Sequence, residues 1–299
     1  MRRKFYTLDV FTHVALAGNA LAVVLDSEGL DASRMQAIAR EFNLAETVFI
    51  EEPHNPINTA RMRIFTPGRE LRFAGHPTIG AAVLLAHLRA PDLLTREDLR
   101  IVVEQGVGDV VCVARHRKGQ AMAAYFTLPR LPQAAGETPS DETLAAGLGL
   151  ARADIGFGDH RPTHYTAGTP FLFVPIASLA AMAQARPNLK LWGENGGPAV
   201  YLYTNEVVHK GSTWHARMFA SGWGILEDPA TGSAAAAFAG VVMQFERPGD
   251  GGHMFVIEQG LEMGRPSFIS LGVDVEYGVL CAATIGGSAI ILAQGAIDI

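Results

Sequence analysis

Little in this chain of 299 residues is suited to thiol, metal or covalent-amine chemistry. Its two cysteines, Cys112 and Cys281, lie in apolar alternating stretches that read as strands, where both are expected to be buried packing thiols. The ten histidines form no His-Glu-x-x-His, and no Cys-x-x-Cys occurs. His160 and His164 are four apart, but Pro162 between them argues for a loop, so no metal is expected. Four lysines, Lys4, Lys118, Lys190 and Lys210, lie in polar settings that do not favour a Schiff base. The net charge of −6 gives no footprint for nucleic acid or an anionic membrane. No apolar run is long enough to span a bilayer, and Met1-Arg2-Arg3-Lys4 leads into alternating residues instead of a signal-peptide core. The expectation is a cytoplasmic protein with neither a nucleic-acid nor a membrane partner.

What is present is apolar and repeated. With 48% apolar and 18% charged residues, the chain is long enough for two well-buried domains. The stretch Glu227-Asp228-Pro229-Ala230-Thr231-Gly232-Ser233 opens an apolar run through Met243. It reads as the entrance of a buried helix, with Asp228 as cap and Pro229 in the first turn. Ala74-Gly75-His76-Pro77-Thr78-Ile79-Gly80 repeats the grammar, and the two prolines are 229 − 77 = 152 residues apart. Arg63-Ile64-Phe65 beside Arg217-Met218-Phe219, and Ala17-Gly18 beside Ala167-Gly168, recur at nearly the same offset. A domain-sized period means two like domains and not a solenoid.

The order of elements supports this. Lys4 to Asp9 and Ala20 to Asp26 read as strands, and Asp31 caps a helix with Met35, Ile38, Ala39 and Phe42 on one face. Glu46 to Ile50 and Arg61 to Phe65 are strands ahead of the helix from Pro77. Residues 131–140 are polar and punctuated by proline and glycine, as a linker is, and the strand and helix order then recurs. Residues 268–299 read as strands with hairpin-like turns at Gly272, Gly286-Gly287 and Gly295. The fold class is α+β: two pseudo-symmetric domains, 1–130 and 131–285, each barrel-like β-structure around a central apolar helix. Whether the last strand, about residues 286–299, completes the first domain is left open.

If the two helix entrances face one cleft, their N–H groups and positive dipole ends favour an anionic ligand such as a carboxylate. His76 and Asp228 are the titratable residues there, Gly75 and Gly232 allow close backbone approach, and Ser233 can hydrogen-bond a carboxylate. Each also has a plainer role as turn, cap or packing residue. Glu46 starts an otherwise apolar strand, and the matching neighbourhood of Gly196-Gly197-Pro198-Ala199 carries no acid. An acid present in one half of a duplication is not explained by the shared fold, and a part-buried glutamate suits a proton carrier.

Gly18-Asn19-Ala20-Leu21-Ala22-Val23-Val24, Asn43-Leu44-Ala45-Glu46-Thr47-Val48-Phe49, the run Arg63 to Thr78, the run Gly224 to Ala234, and Gln259 to Ser267 together resemble the phenazine biosynthesis PhzF-like family. The likeness covers essentially the whole chain. It implies a diaminopimelate-epimerase-like fold and a cofactor-independent isomerase, usually a homodimer, with its site in the interdomain cleft. It further implies that Glu46 moves a proton between substrate carbons, that His76 and Asp228 assist, and that Gly75, Gly232 and Ser233 hold the substrate. Ala20 stands where the family usually has proline, and Ala220-Ser221-Gly222-Trp223 varies the loop before Gly224. Relatives in the wider superfamily racemise amino acids with two facing cysteines; the match places Ala74 and Thr231 at those positions, which excludes a two-thiol mechanism. The expected activity is proton transfer on a small carboxylate-bearing metabolite. An epimerase with non-thiol bases and a catalytically silent ligand-binding protein are the alternatives.

Overall fold

A computed structural model describes residues 2–188, 199–223 and 225–299. Lys190, the Gly196-Gly197-Pro198 stretch and Gly224 lie outside the described residues. The chain divides into two compact units, Met1–Thr127 with Gly286–Ile299, and Leu128–Ile285.

The first unit contains β1 (Arg2–Val10), β2 (Asn19–Val24), β3 (Glu46–Glu51), β4 (Ala60–Phe65), β5 (Glu70–Leu71), β6 (Leu99–Gln105), β7 (Gly108–Arg115) and β8 (Ala123–Thr127). The later part of the long C-terminal strand β17 (Val279–Asp298) joins them. Pairing runs β1–β2–β3–β4–β6–β7–β8–β17 and returns from β17 to β1, a closed barrel of eight strands. Two pairings, β2–β3 and β4–β6, are parallel and therefore need crossovers. The first crossover holds α1 (Ala32–Phe42), whose Asp31 cap accepts the Arg34 N–H and whose apolar stripe packs on Val24, Phe49 and Phe65. The second holds α2 (Gly75–Arg89) and the short α3 (Pro91–Leu94).

The helix α2 is apolar on every side, so no surface position would satisfy it. All residues from Gly75 to Ala86 are buried, and α2 touches β1, β2, β3, β6, β7 and β8. It fills the barrel. Val10 and Leu21 press on it at Gly80, where a Cβ would lie 2.5 Å from Leu21 Cδ2. These contacts fix which strand face points inward: Leu21 inward, Val24 and Phe49 outward beneath α1.

The second unit repeats the plan with β9 (Gln133–Ala134), β10 (Thr163–Thr166), β11 (Pro170–Pro175), β12 (Val200–Thr204), β13 (Trp214–Ala220), β14 (Ile225–Asp228), β15 (Gly251–Gln259), β16 (Ser267–Glu276) and the start of β17. From β10 to β16 the pairings are antiparallel, parallel, antiparallel, parallel, antiparallel, the succession seen from β1 to β7. Outer helices α4 (Asp141–Leu148) and α5 (Leu179–Gln184) cover Leu172, Val174, Val200, Leu202 and Phe219, while α6 (Gly232–Val241) is apolar and buried along nearly all its length.

Polar ties are duplicated as well as strands. Arg63 holds Glu70 through two bonds of 2.7 and 2.8 Å, and Arg217 holds Glu227 through bonds of 2.8 and 2.9 Å. Their guanidinium groups lie over Phe65 and Phe219. Glu104 accepts the N–H groups of His54 and Asn55, as Glu258 accepts those of Val208 and His209. These partners are offset by 217 − 63 = 154 and 258 − 104 = 154 residues.

Three expectations are corrected. First, α6 starts at Gly232, not Pro229, and Asp228 is the last residue of β14 and not a helix cap. Asp228 pairs with Met218 in the sheet, and its carboxylate takes the Thr231 hydroxyl. Since α2 starts at Gly75, the helix offset is 232 − 75 = 157 and Pro77 is not the counterpart of Pro229. Second, Gly272, Gly286-Gly287 and Gly295 make no turns but lie within β16 and β17. Side chains occupy the missing Cβ space: Tyr125 over Gly286 and Phe5 over Gly295. The turn falls at Tyr277-Gly278, both with positive φ, which suits a two-residue hairpin. Third, Cys112 is buried but Cys281 is exposed, on the outward side of β17.

Candidate active site

Strand alternation places Glu46 on the inner face of the first barrel. Phe49 faces outward into the α1 cluster, so Val48 and Glu46 face the opposite way, and Glu46 pairs with the inward-pointing Leu21. His76 is the second residue of α2, directly after Gly75. Their side chains meet, His76 Nε2 lying 3.3 Å from Glu46 Oε2, with exposures of 5% and 13%.

The protonation of this pair follows from its surroundings. Burial pushes the His76 imidazole down to about 3, partly offset by a hydrogen bond with the Ala20 backbone, so the ring is neutral near pH 7. With Nε2 turned to Glu46, Nδ1 is the nitrogen that donates to the Ala20 carbonyl. The Nε2 lone pair then faces a carboxyl oxygen, an arrangement that one proton between the two atoms turns into a hydrogen bond.

The matching position of the second unit carries no acid. Thr47 pairs with Phe65, and Val200 with Phe219, so Ala199 occupies the place of Glu46. Its polar residues gather instead at the start of α6. Asp228 Oδ2 accepts the Thr231 hydroxyl at 2.5 Å. Gln259, at the end of β15, donates Nε2–H to the Asp228 carbonyl at 2.7 Å and to Thr231 Oγ1 at 3.0 Å, and accepts the Thr231 N–H at 3.2 Å. Gly232 and Ser233 follow as the first two residues of α6. Their position puts them among the N–H groups that a helix leaves unpaired at its start. The Tyr201 hydroxyl is buried nearby; burial, then the charge of Asp228, pushes its pKa well up.

The structure therefore brings Glu46, His76 and Gly75 together in one unit, and Asp228, Gly232 and Ser233 together in the other. Sequence reading missed Thr231 as a hydrogen-bonding partner, Gln259 and Tyr201. A signal for Gln259 was available: Glu104-Gln105-Gly106 recurs as Glu258-Gln259-Gly260 at the same offset as Arg63 and Arg217. His160, read in the sequence as a loop residue with no metal expected, is stacked between Phe157 and Phe245 and bonded to Tyr203 and Glu246. Among the described residues, no helix is long and apolar enough to cross a membrane.

Comparison with known proteins agrees with this architecture. A family model, phenazine biosynthesis-like protein (PhzC-PhzF), matches residues 8–295. The chain is 45% identical over 300 residues to an uncharacterized isomerase of Mesorhizobium japonicum, covering 98% of each chain. It is 31% identical over 298 residues to the trans-2,3-dihydro-3-hydroxyanthranilate isomerase of Pseudomonas chlororaphis, again covering 98% of each. Among solved structures it is similar to a PhzF-family phenazine biosynthesis protein of Bacillus anthracis, with a TM-score of 0.88, 25% identity and full coverage of both chains. The chain belongs to the phenazine biosynthesis-like PhzC-PhzF family of isomerases.

Proposed function

We propose that this isomerase moves a carbon-bound proton on a small carboxylate-bearing metabolite, with Glu46 as the proton carrier. The observation that supports this best is the buried contact of 3.3 Å between Glu46 and a neutral His76. Carbon acids ionise slowly, so the carrier must accept a proton and return it without losing it to water. A glutamate on the inner face of a barrel, beside a neutral imidazole, has the exclusion and the partner that this needs. His76 orients the carboxyl and takes a share of its proton, and Gly75 and Gly232 leave room for the ligand beside the backbone. Asp228, at the end of β14, assists the proton transfer, and Ser233, in the first turn of α6, helps to hold the substrate carboxylate.

The relative from Pseudomonas chlororaphis supplies the first probe, trans-2,3-dihydro-3-hydroxyanthranilate, to be tried beside a panel of small cyclic and amino-acid carboxylates. Solvent-deuterium incorporation is followed for wild type and Glu46→Gln, which keeps the shape and removes the carrier. Exchange should fall by about 10²-fold or more while the fold is retained. Equal exchange in the folded variant refutes the role of Glu46. Product chirality separates transfer between carbons from inversion at one carbon. Tight binding by wild type with no exchange of any ligand would favour a binding protein.

A further inference from the structure

We propose that Gln259 is a positioning residue that fixes the Thr231 hydroxyl and, through it, the Asp228 carboxylate; this rests on the role proposed above for Asp228. Amide chemistry sets the direction of each bond. Nε2 has two N–H groups, and two acceptors face it: the Asp228 carbonyl at 2.7 Å and Thr231 Oγ1 at 3.0 Å. Oε1 has lone pairs and meets the Thr231 N–H at 3.2 Å. Flipping the amide would set oxygen against the Asp228 carbonyl and N–H against N–H, so only one orientation fits. Because Thr231 Oγ1 accepts from Gln259, its single proton goes to Asp228 Oδ2, 2.5 Å away. The whole turn between β14 and α6 is held from one side chain.

Gln259 is itself held on both sides. Glu258 is fully buried, accepts the Val208 and His209 N–H groups, and bonds His215 Nδ1 at 2.9 Å. Glu262 bonds the other nitrogen of the same ring, also at 2.9 Å. One imidazole thus pins the residue before Gln259 and the loop after it.

The first unit shows what has been added. Gln105, the counterpart of Gln259, donates to Thr78 Oγ1 at 3.0 Å, and that hydroxyl donates to the Ala74 carbonyl at 2.7 Å. There the glutamine ties a strand end to a helix start and, among the described residues, reaches no carboxylate. In the second unit threonine replaces Ala74 at the cap position, as Thr231, and carries the same tie onward to Asp228. A purely structural tie already exists without that extension.

Gln259→Glu tests the relay with nearly constant volume. A carboxylate at 259 accepts the Thr231 hydroxyl, turns its proton away from Asp228 and adds a like charge, and both changes raise the Asp228 pKa. Tyr201 on β12, which feels the charge of Asp228, and the Arg217–Glu227 ion pair one residue along on β13 and β14 are unchanged in these variants. The protein is labelled with ¹³C at the aspartate carboxyl carbons, the Asp228 signal is assigned with Asp228→Asn, and the titration is followed without ligand. The Asp228 midpoint should rise by about one unit or more in Gln259→Glu. It should stay in place in Gln105→Glu.

Thr231→Val, which removes only the hydroxyl, should raise the midpoint in the same sense and serves if Gln259→Glu does not fold. Deuterium exchange with trans-2,3-dihydro-3-hydroxyanthranilate, or with the first carboxylate that wild type turns over, should fall about tenfold between the two midpoints. It should recover at higher pH, where Asp228 is ionised in both proteins; a collapsed site would not recover. An unmoved Asp228 midpoint in folded Gln259→Glu overturns the proposal. Absence of exchange in wild type refutes the isomerase reading instead, because the titration needs no substrate.

Discussion

His215 offers a test of the electrostatics in the second unit. Its ring is 1% exposed and bonded at both nitrogens, to Glu258 and Glu262. Burial opposes the charge, but the two carboxylates outweigh it and raise the imidazole from 6.5 to about 9. A pKa raised on folding stabilises the native state fully below the unfolded value, near 6.5, and that contribution is lost as pH rises through about 9. About 2.5 units correspond to roughly 3 kcal/mol. Glu258 and Glu262 lie below 4.5 because their bonds to His215 overcome burial, so the cluster also weakens as pH falls below that range. The three shifts describe one interaction, and its energy is counted once.

His215→Gln removes the titration at similar size. Its stability relative to wild type is measured by urea denaturation at pH 6, 8 and 10, following tryptophan fluorescence. Trp214 is buried in the Leu128–Ile285 unit, so its signal reports that unit. Wild type should lead the variant at pH 6, and the lead should shrink by about 3 kcal/mol by pH 10. Titrations that do not involve the His215 cluster cancel in the difference. A lead independent of pH would show that His215 acts only by filling space, and the charged assignment would be wrong.

Other outcomes follow from packing and accessibility. Ellman's reagent should label the exposed Cys281 in native protein, while Cys112, whose thiol burial pushes up to about 12, should react only on unfolding. The double Cys→Ala variant should keep its exchange activity, and a selective loss in folded protein would contradict the absence of thiol chemistry. Gly286→Ala places a Cβ 1.9 Å from the Tyr125 ring and should lower stability by about 1–3 kcal/mol in thermal melts. Gly249→Ala, with nothing within 4 Å, should be near neutral.

Much of the architecture is readable along the chain because its cause is local. An all-round apolar run such as Gly75 to Ala86 can only be satisfied inside, and the β-branched and aromatic strands alternate visibly. Asp31 and Asn43 mark both ends of α1 by cap chemistry alone. Glycine misleads where its cause is distant. Gly286 and Gly295 look like turns, but they are flat because Tyr125 and Phe5, remote in sequence, need the space. Cys281 looks buried by its apolar neighbours, but burial depends on which face of β17 is covered. The entrance to α6 was misread for a similar reason: Asp228 and Pro229 have the composition of a helix start, and β13 claims Asp228 for the sheet.

By itself, the sequence determined that the chain is a duplication with two buried helices, that Glu46 has no counterpart, and which family the motifs belong to. Only tertiary structure decided that His76 Nε2 meets Glu46, that the helix counterparts are Gly75 and Gly232, and that Gln259 reaches Thr231 and Asp228. The division has a physical reason. Periodicity and capping depend on neighbours a few residues away, whereas a proton shared between two side chains, or a hydroxyl turned by an amide, depends on atoms brought within about 3 Å by pairings between distant strands.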